Sequence, residues 1–171
     1  DHRRLALEDF CSVLDLPTTA KYDTTMERVV RAVRPLSTAP DDDALLLLKR
    51  ALFAWLIADG DMHLKNMALL KIAEPGDLTY RTVRVAPLYD AVTTRVFPRL
   101  GNDHMALKLN GKDDRLTPQD FVQLARTIDV PVGRAEALMG EVARGVRQAA
   151  AELVAPLVAA EGAATTGSRP L

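Results

Sequence analysis

The stretch from Leu56 to Leu70, reading LIADGDMHLKNMALL, constrains this chain more than any other. It sets Asp59, Asp61, His63, Lys65 and Asn66 within eight residues, between the apolar runs Phe53-Ala54-Trp55-Leu56-Ile57 and Met67-Ala68-Leu69-Leu70. Apolar flanks of that kind are buried elements that pin both ends of what lies between them, so the polar cluster is expected on a rigid loop over a core. A rigid loop offering carboxylates, an imidazole and a carboxamide suits phosphoryl transfer, where the protein contributes mostly positioning and charge neutralisation through metal ions.

Around that loop the chain reads as one mainly helical domain. Leu7, Phe10, Cys11 and Leu14 have helical spacing and Leu16-Pro17 stops the run, which predicts a first helix over Leu7 to Leu14. Thr24-Thr25-Met26-Glu27 has the Thr-x-x-Glu form of a capping box ahead of Val29, Val30 and Val33, predicting a second. Asp41-Asp42-Asp43 offers cap and first-turn carboxylates to a third helix running to about Ile57, where the macrodipole favours negative charge; capping is preferred there to a metal site. Only Lys49 and Arg50 interrupt its apolar surface, so it is expected to be the central buried helix that leads into the loop. After the loop, Met67 to Ile72 and Arg81 to Val85 predict a β-hairpin joined through Ala73-Glu74-Pro75-Gly76-Asp77, returning Pro87-Leu88-Tyr89-Asp90 beside the loop. Ala91 to Asp114 is irregular, with Pro98, Gly101 and Gly111 as breakers. Thr117-Pro118-Gln119-Asp120 starts a further helix, with Thr as cap, Pro in the first turn and Asp closing a capping box. Pro131 opens the last helix, expected to about Leu157, and the domain is expected over 1–160 with a frayed tail over 161–171.

Composition excludes several classes. The 171 residues, 48% hydrophobic and 26% charged, are ordinary for a soluble globular domain, and a net charge of −1 gives no footprint for direct nucleic-acid binding. The single cysteine, Cys11, excludes an internal disulfide and is expected as a buried thiol in a reducing cytoplasm. No apolar run approaches the roughly 20 residues of a membrane span, and no signal-peptide pattern stands at the N-terminus. Beginning at Asp1-His2-Arg3-Arg4 without a methionine, the chain reads as a piece of something longer. An EF-hand starting at Asp59 fails because Leu64 and Leu70 stand where glycine and glutamate are required. A zinc site has only His2, His104 and Cys11 to add, none at ligand spacing, and a hydrolase triad lacks its G-x-S-x-G elbow.

Four motifs in order carry a family resemblance. Arg4-Leu5-Ala6-Leu7-Glu8-Asp9-Phe10-Cys11, then Asp59 to Asn66, then Ala86-Pro87-Leu88-Tyr89-Asp90, then Met105-Ala106-Leu107-Lys108-Leu109-Asn110-Gly111-Lys112 together resemble the C-terminal half of a HipA-type toxin kinase over roughly the first three quarters of the chain. The chain departs from that pattern at Ala58-Asp59-Gly60, where the family usually reads Gly-Asn and a small residue. The resemblance implies an ATP- and Mg2+-dependent serine/threonine kinase of protein-kinase-like fold, in which this portion is the larger, mainly α lobe. It also implies a toxin–antitoxin setting, with a protein substrate such as an aminoacyl-tRNA synthetase and an antitoxin of the HipB type as partner. DNA is then reached only indirectly, through the antitoxin.

Within that frame Asp61 is the catalytic candidate, since Asp61 and Asn66 have the spacing of Asp and Asn in the kinase loop H-R-D-x-x-x-x-N. The other reading open to Asp61 is a loop aspartate capping its own backbone. Asn66 and Asp90 are the candidate magnesium ligands, with a turn residue and a helix N-cap before Ala91-Val92 as their alternatives. His63, two after Asp61 where many protein kinases carry lysine, is a candidate nucleotide contact or a packed loop residue. Leu64, Lys65 and Tyr89 join the nucleotide-binding set; a structural ion pair fits Lys65 equally well, and a core position fits Tyr89 nearly as well. A rival of a different class is a non-catalytic lobe kept as an interaction module for an antitoxin-like partner. The sequence feature that separates the two is the phosphate-gripping part: no glycine-rich loop or strand-end lysine precedes Asp61 here, so a separate N-terminal lobe is expected to supply them.

Overall fold

In the computed structural model, which describes residues 4–165 and side chains as far as residue 156, the first described element is a strand. The helix expected over Leu7–Leu14 divides into β1 (Arg4–Asp9) and a single turn, α1 (Phe10–Val13). Asp9 ends the strand and caps the turn, its carboxylate accepting from the Ser12 N–H at 3.1 Å. Helical spacing holds only from Phe10 on, where Phe10 and Cys11 go into the core. The residues before it are extended because they pair with a strand some sixty positions later, which no local pattern records.

α2 (Met26–Val33) buries Met26, Val29, Val30 and Val33, but its cap sits one residue later than expected. Thr25 accepts from the Arg28 N–H at 3.3 Å, and Glu27 is buried with its carboxylate on the Asn110 N–H at 2.6 Å, so it ties α2 to the 105–112 segment instead of closing a box with Thr24. α3 (Pro40–Ile57) has the expected span without the expected caps. Ala39 holds the N-cap position, Asp41 and Asp42 face outward, and Asp43 is fully buried. Its carboxylate accepts from Ser37 Oγ at 2.6 Å, Arg84 Nε at 3.0 Å and the Val85 N–H at 3.1 Å. Charge in the first turn still favours the helix dipole, yet Asp43 is above all a bolt between α3 and the sheet.

The hairpin forms as β2 (Ala68–Ala73) and β3 (Thr82–Val85), antiparallel with Leu69 opposite Val85. It is two thirds of a three-stranded antiparallel sheet in the order β1-β2-β3, with Leu7 opposite Leu70. A mainly helical chain with a small hairpin is therefore corrected to helices covering about half the chain plus a small three-stranded sheet. From 91 to 114 the chain is irregular, as the breakers predict, with 3-10 turns at Thr94–Val96 and Pro98–Leu100 and isolated bridges from Lys108 to Thr25 and from Leu109 to Lys112. α4 (Pro118–Thr127) has the expected capping box, Asp120 Oδ2 accepting from the Thr117 N–H at 2.8 Å. α5 (Val132–Thr165) is longer than expected and includes Pro156. Of the tail expected over 161–171, residues 166–171 lie outside the described residues. α3 packs against α2, α4, α5 and β3, and the core it organises includes Leu47, Leu48, Leu64, Met67, Leu107 and Phe121.

Candidate active site

The loop after α3 is set by backbone geometry first. Ala58 ends the helix in the left-handed region at φ 55°, a conformation that costs a non-glycine residue on the order of 1–2 kcal/mol. Thr94 stabilises the turn from outside: its N–H and its Oγ1 both donate to the Ala58 carbonyl, at 3.0 and 3.1 Å, and the Gly60 N–H donates to Oγ1 at 3.1 Å. Gly60 has no room for a side chain, because a Cβ there would lie 2.1 Å from an Asp103 carboxylate oxygen and 2.8 Å from the His104 carbonyl.

Within this frame the two aspartates differ in role. Asp59 is 3% exposed and its Oδ1 accepts the Asp61 N–H at 3.0 Å. Burial pushes its carboxyl above the usual range, opposed by the Asp61 and Val92 amides and reinforced by the charges of Asp61 and Asp90. The backbone-capping role open to Asp61 thus belongs to Asp59. Asp61 has a side chain 42% exposed, and it lines an open cleft of about 690 Å3 with Tyr22, Val92, Phe97, Leu100 and His104 among its walls. Its carbonyl accepts Asn66 Nδ2 at 2.8 Å, which fixes the orientation of that amide and leaves Asn66 Oδ1 as the atom for other partners.

The remaining candidates separate. His63 is buried, with Nε2 2.8 Å from Lys21 Nζ and 3.7 Å from Asp61 Oδ1. A lysine ammonium only donates, so Nε2 is the acceptor in that contact, and Nδ1 has no partner among the described residues. Lys65 makes the ion pair left open for it, Nζ lying 2.6 Å from Asp9 Oδ2, and that contact raises the lysine above its ordinary value. Tyr89 is half-buried and donates from its hydroxyl to the Lys65 carbonyl at 3.0 Å, bracing the loop from the far side. Leu64 is completely buried in the core, with its N–H on the Lys21 carbonyl at 3.1 Å, so its side chain anchors the loop.

Asp90 is exposed, at φ 53°, and no helix follows it, which removes the N-cap reading. The segment carrying it is tied back twice, by Tyr89 on the loop and by the buried Arg50 of α3, whose guanidinium donates to the Ala86 carbonyl. Asn66 and Asp90 offer one amide and one carboxylate oxygen, hard donors that fit magnesium completed by phosphate oxygens and water. Among the described residues no cluster of three or more His, Cys, Asp or Glu could hold a metal unaided. Lys21, Tyr22 and Thr94 are the site residues that the loop's own sequence does not reveal, because each comes from a segment more than 30 residues away.

The family model for the HipA-like C-terminal domain matches residues 1–150. The chain belongs to the HipA-like C-terminal domain family. Among relatives, it is similar to two Sinorhizobium fredii proteins named "Putative kinase Y4mE" and "Putative kinase Y4dM", at 32% identity over 121 residues and 33% over 104. Those alignments take in 68% and 61% of this chain but 27% and 24% of the relatives, so the chain spans about a quarter of their length. Its fold is similar to a HipA chain in a Shewanella oneidensis structure of the toxin–antitoxin system HipA, HipB and its operator DNA. That match has a TM-score of 0.73 at 18% identity, and covers 88% of this chain and 37% of the other. The HipA-like fold and the recurrence of kinase in the relatives' names agree with the resemblance carried by Asp59–Asn66. Among the described residues no helix is long and apolar enough to cross a membrane.

Proposed function

We propose that this HipA-like domain is the catalytic, larger lobe of an ATP- and magnesium-dependent serine/threonine protein kinase, with the architecture of a protein-kinase C-terminal lobe. The observation that carries the reading is the state of Asp61. Its backbone is clamped on both sides by Asp59 and Asn66, while its carboxylate stands at the wall of an open cleft. A residue held in that way can accept a hydrogen bond from an incoming hydroxyl without reorganising, which is what a positioned base contributes. In the proposed step the hydroxyl oxygen bonds to the γ-phosphorus of ATP, the bond to the β–γ bridging oxygen breaks, ADP leaves and the proton passes to Asp61.

Asn66 Oδ1 and the Asp90 carboxylate are the groups that would hold magnesium, which when bound neutralises charge on the phosphates. His63, oriented by Lys21, lies next to Asp61 on the side proposed for the nucleotide. The parts that cover and grip the phosphates belong, in this reading, to an N-terminal lobe, and the exposed Leu5 and Leu7 on the sheet suit a second body packing there. The family resemblance and the HipA–HipB–DNA neighbour support an antitoxin of the HipB type as partner, with DNA contacted through it; a protein substrate such as an aminoacyl-tRNA synthetase is what the family resemblance alone implies. Calorimetry on the product of the full open reading frame tests the nucleotide half of this account. ATP should bind in a magnesium-dependent way, and Asp90→Ala should weaken that binding at least ~10-fold while leaving the magnesium-free component unchanged. Binding indifferent both to magnesium and to Asp90 contradicts the proposal.

A further inference from the structure

Tyr22 comes from the connection between α1 and α2, 39 positions before the residue it touches. Its hydroxyl donates to Asp61 Oδ1 at 2.7 Å. Its ring meets the His63 ring edge-on, 5.1 Å between centroids at 73°, and Lys21 Nζ stands 5.0 Å from the tyrosine centroid while bonding His63. The Leu64 N–H closes the junction on the Lys21 carbonyl. Lys21-Tyr22 is therefore knitted to the Asp61–Leu64 segment through side chains and backbone together. Burial, with the hydrogen bond to Asp61 behind it, pushes the phenol up to about 12, so it remains a donor across the physiological range.

Asp61 has its N–H on Asp59 and its carbonyl on Asn66, which leaves rotation of the carboxylate as its free motion. Tyr22 removes that motion by holding one oxygen, and both residues face the same cleft. We propose that Tyr22 is a positioning residue for phosphoryl transfer, its hydroxyl fixing the Asp61 carboxylate through Oδ1 so that Oδ2 is the oxygen presented to the acceptor hydroxyl. This rests on the reading of Asp61 as the base, and the test separates the two. The product of the full open reading frame is made as wild type, Tyr22→Phe, Asp61→Asn and the double variant, and single-turnover transfer from radiolabelled ATP is followed together with the KM for magnesium-ATP.

Phenylalanine keeps the ring on His63 and deletes only the donor. Tyr22→Phe should lower the transfer rate ~10-fold, the order expected for one hydrogen bond to a charged group, with KM unchanged. In the Asp61→Asn background the same substitution should have no further effect, because the two residues act as a unit. Equal losses from Tyr22→Phe in both backgrounds, a loss confined to KM, or a rate at or above wild type would overturn the positioning role while leaving Asp61 as base. Native turnover in Asp61→Asn overturns both.

Discussion

Asp59 and Asp61 are two positions apart and are placed differently, one buried beneath the loop and one with its carboxylate exposed. Spacing from Asn66 singles out Asp61, and the motif ahead of Ala91 singles out Asp90, so the sequence by itself nominates both as candidates. The role of Asp59 is not legible there, because what sets it is burial against Asp61 and Val92 amides that only the fold brings to it. It stands where the family usually has asparagine, and asparagine can keep accepting the Asp61 N–H through its carbonyl oxygen without placing a charge in the interior. Asp59→Asn is therefore expected to raise the thermal midpoint at pH 7. The folded-state carboxyl is raised, so the charged form is what folding disfavours, and the cost of Asp59 is fully present above its folded value. The gain from asparagine should shrink as pH falls through that value and vanish below the unfolded one near 3.8, where aspartate is protonated in both states. Thermal melts from pH 7 to pH 3.5 measure this, and an advantage that grows in acid contradicts it.

Elements set by local signals were legible and those set by distant partners were not. Thr117-Pro118 and Asp120 specify the start of α4 within four residues, and the structure has that capping box. β1 was masked by a helical spacing that becomes real only at Phe10, since its extended form comes from pairing with β2. The three aspartates at the start of α3 show the same limit, because cap chemistry and a tertiary anchor call for the same residue type. Asp43 takes three donors from two other segments, whereas Asp41 and Asp42 sit at the surface in ion pairs with Arg34 and Arg134. Asp43→Ala should cost about 2–3 kcal/mol of unfolding free energy, the loss of a buried, charge-assisted network. Asp41→Ala and Asp42→Ala should each stay within roughly 0.5 kcal/mol. Equal effects at the three positions in denaturant titrations would restore capping as their common role.

At the scale of the whole molecule, helices α2 to α5 close a continuous core under the loop, so the 171 residues are expected to fold on their own. A kinase site lies between two lobes, and Asp61, Asn66 and Asp90 form one proposed wall of it. The isolated chain should consequently melt cooperatively yet bind magnesium-ATP more weakly than micromolar; calorimetric titration showing micromolar or tighter binding would mean that the nucleotide site is already complete here. Everything in the functional reading converges on one carboxylate, and the measurement that reaches it most directly is the turnover of Asp61→Asn in the product of the full open reading frame. With fold and magnesium-ATP affinity verified on the same sample, transfer of radiolabelled phosphate should fall ~10²- to 10⁴-fold, the range lost with a positioned general base. Transfer at close to the wild-type rate would contradict the assignment of Asp61, and with it the account of this loop as a catalytic one.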